Sequence, residues 1–200
     1  GCNELALPGG MVFGFDPMNI VHSIENTFYS RSDDIKSAKD FDEFYAIYQE
    51  ELFKDLWEAE RISKGLQDIR SRDCNIVSNI FLEGCIENAK SCIQGGLSKY
   101  IAVGLPIGLS NVIDSISITK QFVYDKKIIT MPELIDALKN NWSGYEDLRN
   151  LILRKGNFFG NDDDCSNEIA KRLFKSIGKW NNTENYLGKK WLFGNLVGYN

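Results

Sequence analysis

Apolar residues recur at intervals of three and four along most of the chain, a spacing that lines one face of an α-helix. The clearest run is DFDEFYAIYQEELFKDLWEAERISKGLQDI, where Phe41, Phe44, Tyr48, Leu52 and Leu56 predict a long amphipathic helix capped by Asp40 or Asp42. Upstream, Met18, Val21, Ile24 and Phe28 predict a shorter helix, with Asp16 as its cap and Pro17 in its first turn, and SRSDD reads as the turn that follows. CNIVSNIFLEGCIENAKSC predicts a short buried turn or strand passing into a helix over 83–89, which QGG ends. The stretch KYIAVGLPIGLSNVIDSISITKQFVYDKK moves from a Gly-rich loop into a helix that turns Val112, Ile113, Ile116 and Phe122 inward. TMPELIDALKNNW is a further helix, with Thr130 as cap and Pro132 in the first turn; GYEDLRNLIL and NDDDCSNEIAKRLFKSI complete the set. Strand signals are confined to 101–103 and 76–81, so the pattern predicts a mostly helical domain with some buried strands that periodicity does not reveal.

Composition narrows the function classes. The 200 residues are 43% hydrophobic and 12% aromatic, enough to bury a sizeable core in one ordinary domain. A net charge of -5 and a pI near 5.0, with no basic cluster, give no attraction for a phosphate backbone, so no nucleic-acid partner is expected. No apolar run is long enough for a membrane span, and no basic-then-apolar leader opens the chain, so a cytoplasmic protein without membrane contact is expected. The five cysteines, Cys2, Cys74, Cys85, Cys92 and Cys165, contain no CxxC pair and form neither a disulfide framework nor a zinc signature. The last four are read as reduced, buried small residues. The chain opens on Gly-Cys and ends on the aromatic, Gly-rich WLFGNLVGYN, which is read as a segment cut from something longer.

Chemistry concentrates in the first ten residues, GCNELALPGG, where Cys2 and Glu4 lie two positions apart ahead of the loop signals Pro8, Gly9 and Gly10. On a bent loop both side chains reach one pocket. A neighbouring carboxylate raises a thiol's pKa, so the pair is a poor thiolate nucleophile, and the single histidine, His22, is read as a satisfied structural residue rather than its base. One-electron chemistry has no such requirement: a thiyl radical removes a hydrogen atom while a carboxylate takes a proton. GNDDD lacks the alternating spacing of a calcium loop and is read as capping and loop anchoring, and Gly95 and Gly96 as a turn or close backbone approach.

These runs, taken together and in order, resemble the glycyl-radical enzymes, the group that contains pyruvate formate-lyase and the radical dehydratases and lyases. GCNE is similar to their Gly-Cys-x-Glu loop. FLEGCIENAKSCIQGGLSKY is similar to their Cys-Ile-Glu segment followed by Gly-Gly-x-x-Tyr, and GLSNVIDSISITKQFVYDKKIITMPELIDALKNNWSGYEDLR and GNFFGNDDD resemble later motifs. The resemblance implies an α/β fold: residues 1–200 would be part of a ten-stranded barrel with surrounding helices, helix-rich in this segment, beginning at the active-site cysteine loop.

Residue by residue, the resemblance makes Cys2 the site of the transient thiyl radical and Glu4 the base and acid of the eliminating branch. Asp16 falls near an acid that contacts substrate hydroxyls in polyol dehydratases. The implied function is a lyase or dehydratase cleaving a C–O or C–N bond of a small hydroxylated substrate, with no metal site. Arylacetate decarboxylation, a formate C-acetyltransferase-like activity and a non-catalytic scaffold or partner-binding homologue are the alternatives. Asn3 after Cys2 speaks against acetyl transfer, since pyruvate formate-lyase has adjacent cysteines there, and Asn3 and Leu5 depart from the dehydratases' Gly-Cys-Val-Glu-Pro. The radical glycine of an Arg-Val-x-Gly-Tyr motif has no counterpart here; NLVGYN lacks the arginine, so Gly198 is not assigned to it. The implied partners are a small-molecule substrate, a second copy in a homodimer, and an iron-sulfur activating enzyme that uses S-adenosylmethionine to install the glycyl radical, leaving this segment alone inactive.

Overall fold

The computed structural model describes residues 8–72, 76–181 and 191–193. The chain divides into two compact units, one formed by residues 1–18, 56–107 and 178–200 and the other by 19–55 and 108–177. The chain is helix-rich with a small sheet, as the periodicity predicts.

The second unit is helical. Strand β1 (Met11–Asn19) ends at its border and α1 (Val21–Tyr29) follows, with the Val21 amide donating to Asn19 Oδ1 at 3.2 Å. The expected helix start at Asp16 and Pro17 is therefore corrected: both lie in β1, and Met18 fits the helical spacing by coincidence. SRSDD is not simply a turn, since its last three residues open α2 (Ser32–Ser37). The long helix α3 (Phe41–Arg70) forms as predicted and Asp40 is its cap, its carboxylate accepting from the Glu43 amide at 2.9 Å. Its buried stripe of Phe44, Tyr48, Leu52 and Leu56 has no exposure.

α5 (Leu109–Thr119) carries Val112, Ile113 and Ile116 inward and runs into a π turn (Lys120–Asp125) that buries Phe122. α6 (Met131–Lys139) starts with a complete capping box between Thr130 and Glu133, the two Thr130 donors holding the Glu133 carboxyl below its ordinary range. α7 (Glu146–Lys155) and α8 (Asp164–Asn181) follow, and Asp163 accepts from the Ser166 amide at 2.9 Å, the capping role read from GNDDD.

A polar clasp locks the loop between α7 and α8. Ser117 donates to Asn157 O at 2.9 Å, Asp114 accepts from the Phe159 amide at 2.7 Å, and Gln121 bonds both Lys155 O and the Asn157 amide at 2.9 Å. Three side chains on one face of a helix thus supply the ladder partners that this loop lacks.

Aromatic rings gather around α3: Phe44 packs on Phe28 at 5.9 Å and on Tyr124 at 6.0 Å. The Tyr124 hydroxyl is buried with no hydrogen-bond partner among the described residues, and burial, with Asp40 and Glu43 adding to it, pushes its phenol up to about 12. Tyr124→Phe is accordingly expected to leave stability unchanged or raise it by up to about 1 kcal/mol, read from the urea midpoint.

The first unit holds the sheet. β2 (Tyr100–Ile107) is central, with β3 (Trp191–Phe193) parallel to it in the register Ala102↔Trp191, Val103↔Leu192 and Gly104↔Phe193. Residues 103–106 are all buried, so both faces of β2 are covered and its sequence shows no alternation. The expected strand over 76–81 is not formed; α4 (Ile76–Asn79) stands there instead, with Ile76 72% and Phe81 76% exposed rather than buried.

Candidate active site

Cys2 and Glu4 lie outside the described residues, as does Cys74. Asp16 belongs to β1 and not to a helix cap. The described residues begin at 8, six positions after Cys2 in the sequence. A turn at 8–10 leads into β1, and the Gly9 carbonyl accepts from the Glu83 amide at 2.8 Å. The Glu83 carbonyl in turn accepts from the Ser98 amide at 2.9 Å, two residues ahead of β2. One residue therefore ties the entry of both neighbouring strands.

Around Glu83 the chain forms a knot. The helix expected over 83–89 is replaced by successive turns, because Gly84 (φ +95°) and Ala89 (φ +49°) leave the helical region. The Asn88 amide closes a single turn on Gly84 O at 2.9 Å, its side-chain amide donates to Gly96 O at 2.9 Å, and the Asn79 side chain accepts from the Cys92 amide at 2.9 Å. A Cβ on Gly84 would stand 2.6 Å from Gly96 O and from the Ser98 amide, and one on Gly96 would press on the Lys90 carbonyl. Close backbone approach, the reading given for Gly96, is thus what both positions require. The π turn at Cys92–Gly96, closed by Gly96 N–H to Ser91 O at 3.0 Å, completes the knot over a small core of Cys85 and Leu97.

The other candidates are structural. His22 Nδ1 lies 3.0 Å from Asp55, with Asn26 beside it, on an exposed face of the helical unit. Burial pushes the Asp55 carboxyl up, and His22 opposes that. Cys85 is buried, but Cys92 and Cys165 are only half-buried, a correction to the expectation for both; none of the three is in a disulfide. Among the described residues no group of His, Cys, Asp and Glu could hold a metal ion, and no helix is long and apolar enough to cross a membrane.

The helical unit has an open cleft of about 810 Å³, in which Lys120 pairs with Asp125 and Arg172 with Asp42, each at 2.6 Å, the two flanking the Phe41 ring. Sequence reasoning missed Glu83 and Asn88 as anchors and the Asp114, Ser117 and Gln121 clasp. Only the clasp left a trace, in its spacing on one helical face.

The comparisons agree on one family. Residues 20–194 match the pyruvate formate lyase-like family. The chain is 35% identical over 103 residues to trans-4-hydroxy-L-proline dehydratase of Clostridioides difficile, an overlap of 52% of this chain and 13% of that protein. It is 46% identical over 67 residues to isethionate sulfite-lyase of Bilophila wadsworthia, covering 34% of this chain and 8% of the relative. A structure solved for 1,2-propanediol dehydration in Roseburia inulinivorans superimposes with a TM-score of 0.82 at 21% identity, over 93% of this chain and 26% of that one, which establishes the fold. The chain therefore spans about a quarter or less of the proteins it matches. With the match running through both units, the chain belongs to the pyruvate formate lyase-like family of glycyl radical enzymes.

Proposed function

We propose that the full-length protein is a glycyl-radical lyase or dehydratase that cleaves a C–O or C–N bond of a small hydroxylated substrate. The observation that carries this reading is the Gly-Cys-x-Glu run, three residues ahead of the 8–10 turn, in a chain that matches the family from residue 20 onward. Relatives named as dehydratases and as a sulfite-lyase support the reaction class.

In this reading the chain supplies the cysteine loop and late strands of a ten-stranded α/β barrel, its double-faced β2 among them. The radical glycine lies outside these 200 residues. Installed by an S-adenosylmethionine-dependent activating enzyme, the glycyl radical supplies the one-electron oxidising equivalent. Cys2, as thiyl, takes a hydrogen atom from the carbon bearing the substrate hydroxyl, forming S–H and leaving a carbon radical. Glu4 takes the proton of that hydroxyl, which strengthens the push on the adjacent C–O or C–N bond. That bond breaks with its electron pair going to the leaving group, which accepts the proton back from Glu4, and the product radical recovers its hydrogen from the Cys2 thiol, regenerating the thiyl. Asp16, three residues before the end of β1, is assigned to substrate hydroxyls. Exclusion of water and oxygen by a barrel interior protects the radicals. A homodimer of such chains in the cytoplasm completes the proposal.

Electron paramagnetic resonance on the full-length protein, treated anaerobically with its activating enzyme and S-adenosylmethionine, tests this. A glycyl doublet is expected, followed by turnover in a screen of polyols, amino alcohols, hydroxysulfonates and arylacetates. Absence of the doublet, with an activating enzyme competent on another family member, would favour the non-catalytic homologue.

A further inference from the structure

A second groove, of about 390 Å³, opens among α1, α5, α6 and α7, wholly within the helical unit. Buried Ile24, Phe28, Leu134 and Ile152 line it, and Tyr29 and Trp142 add aromatic surface. Its charge is one-sided: Glu25 and Asp114 line it, with no lysine, arginine or histidine. The hydroxyls beside them are spent on α5 itself, Ser115 donating to Asn111 O and Thr119 to Ser115 O, each at 2.7 Å. The chemistry left over for a ligand is therefore chiefly that of two carboxylates.

Asp114 is the better placed of the two. One of its oxygens accepts from the Phe159 amide at 2.7 Å, and burial pushes its carboxyl up with only that amide opposing. A half-buried carboxylate held by one neutral donor lacks the counter-charge that would offset its desolvation. Trp142 adds a backbone outlier: its φ of +65° is rare for a bulky side chain, and its amide is pinned to Ala137 O at 2.8 Å. Outliers of this kind gather at ligand contacts, and an aromatic face attracts a cation as a carboxylate does.

We propose that this groove binds a small hydrophobic amine, whose ammonium pairs with the Asp114 oxygen that the Phe159 amide does not use and whose aryl or alkyl group lies on Phe28, Leu134 and Trp142. Glu25, exposed on α1, adds negative charge to the same groove. Charge complementarity selects the occupant: an anion would meet two like charges, and a neutral molecule would leave Asp114 without its counter-ion. A volume near 390 Å³ suits one small molecule. The site is independent of the roles proposed for Cys2 and Glu4 and adds a second ligand to the protein.

The test titrates the full-length protein with 2-phenylethylamine and with its neutral counterpart 2-phenylethanol, both followed by ligand-observed NMR. The amine is expected to bind with a Kd of about 1 mM or tighter, as its size allows. The alcohol should bind at least about tenfold more weakly, the share of one charge-assisted hydrogen bond. Asp114→Asn keeps an acceptor for the Phe159 amide and removes the charge. It should weaken the amine about tenfold and leave the alcohol within about twofold. Trp142→Leu should weaken the amine more than the alcohol.

Amine and alcohol affinities within about twofold of each other would overturn the proposal, as would no amine binding at about 10 mM, ten times the expected Kd. Amine binding that survives Asp114→Asn unchanged belongs to another place, the substrate pocket included, and also overturns it. Should Asp114→Asn fail to fold, Glu25→Gln and Trp142→Leu carry the comparison, and wild-type amine affinity in both is the refuting result. Failure of the radical reading is separately visible, because it is read from the glycyl doublet and from turnover in Cys2→Ala.

Discussion

Cys2→Ala in the full-length protein is expected to abolish turnover, a loss of at least about a thousandfold in kcat, comparable to removing a covalent catalyst from its site. The glycyl doublet should remain detectable after activation. The two readouts separate because the proposed roles do: the radical is stored on a glycine elsewhere, whereas Cys2 only relays it to the substrate. Alanine has no S–H bond to make or break, so the stored radical has no path to the substrate carbon. Cys2→Ser should fail as well, since the O–H bond is too strong to be regenerated and broken in each cycle. Glu4→Gln removes the proton acceptor but leaves the relay, so a smaller loss of about 10²–10⁴-fold is expected. Turnover retained in Cys2→Ala, followed by product formation under anaerobic conditions, would refute the assignment.

Gln121→Ala is expected to be the most damaging polar substitution in the helical unit. The side chain is 3% exposed and bonds Lys155 O and the Asn157 amide at 2.9 Å each. Alanine leaves an unpaired carbonyl and an unpaired N–H, each part-buried and so toward the lower end of about 1–3 kcal/mol, and a loss of about 2–3 kcal/mol follows. Native-state amide exchange at Asn157 and Phe159 should show the loss directly, with the thermal midpoint falling alongside.

Gln121→Glu sharpens the test through pH. A carboxylate at this position still accepts from Asn157 but faces the Lys155 carbonyl, which raises its folded pKa above the unfolded value. Only the protonated acid can donate to that carbonyl, so stability is present at low pH and lost as pH rises through the raised pKa. Wild type should show no such slope from this position.

The same clasp shows what periodicity reads and what it misses. Phe44, Tyr48, Leu52 and Leu56 were legible because a helix repeats locally, and the Thr130 and Asp163 caps because capping is decided within three residues. Asp16 and Pro17 misled for the same reason: their local pattern suits a helix start, but pairing placed them in β1. Likewise 76–81 carries the apolar, β-branched composition of a strand, but among the described residues no strand pairs with it, and its first four residues form α4, with Ile76, Val77, Ile80 and Phe81 exposed.

By itself the sequence determined most of the helical segments, the caps at Asp40, Thr130 and Asp163, the acidic character, and the Gly-Cys-x-Glu run on which the catalytic proposal stands. Only the tertiary structure decided the knot of Glu83, Gly84, Gly96 and Ser98, the clasp of Gln121 on Asn157, and the pairing of Ala102 with Trp191. The physical reason is range: a helix closes its hydrogen bonds over four residues, whereas a strand or a turn without a helix must find its partners far along the chain, where no local pattern records them.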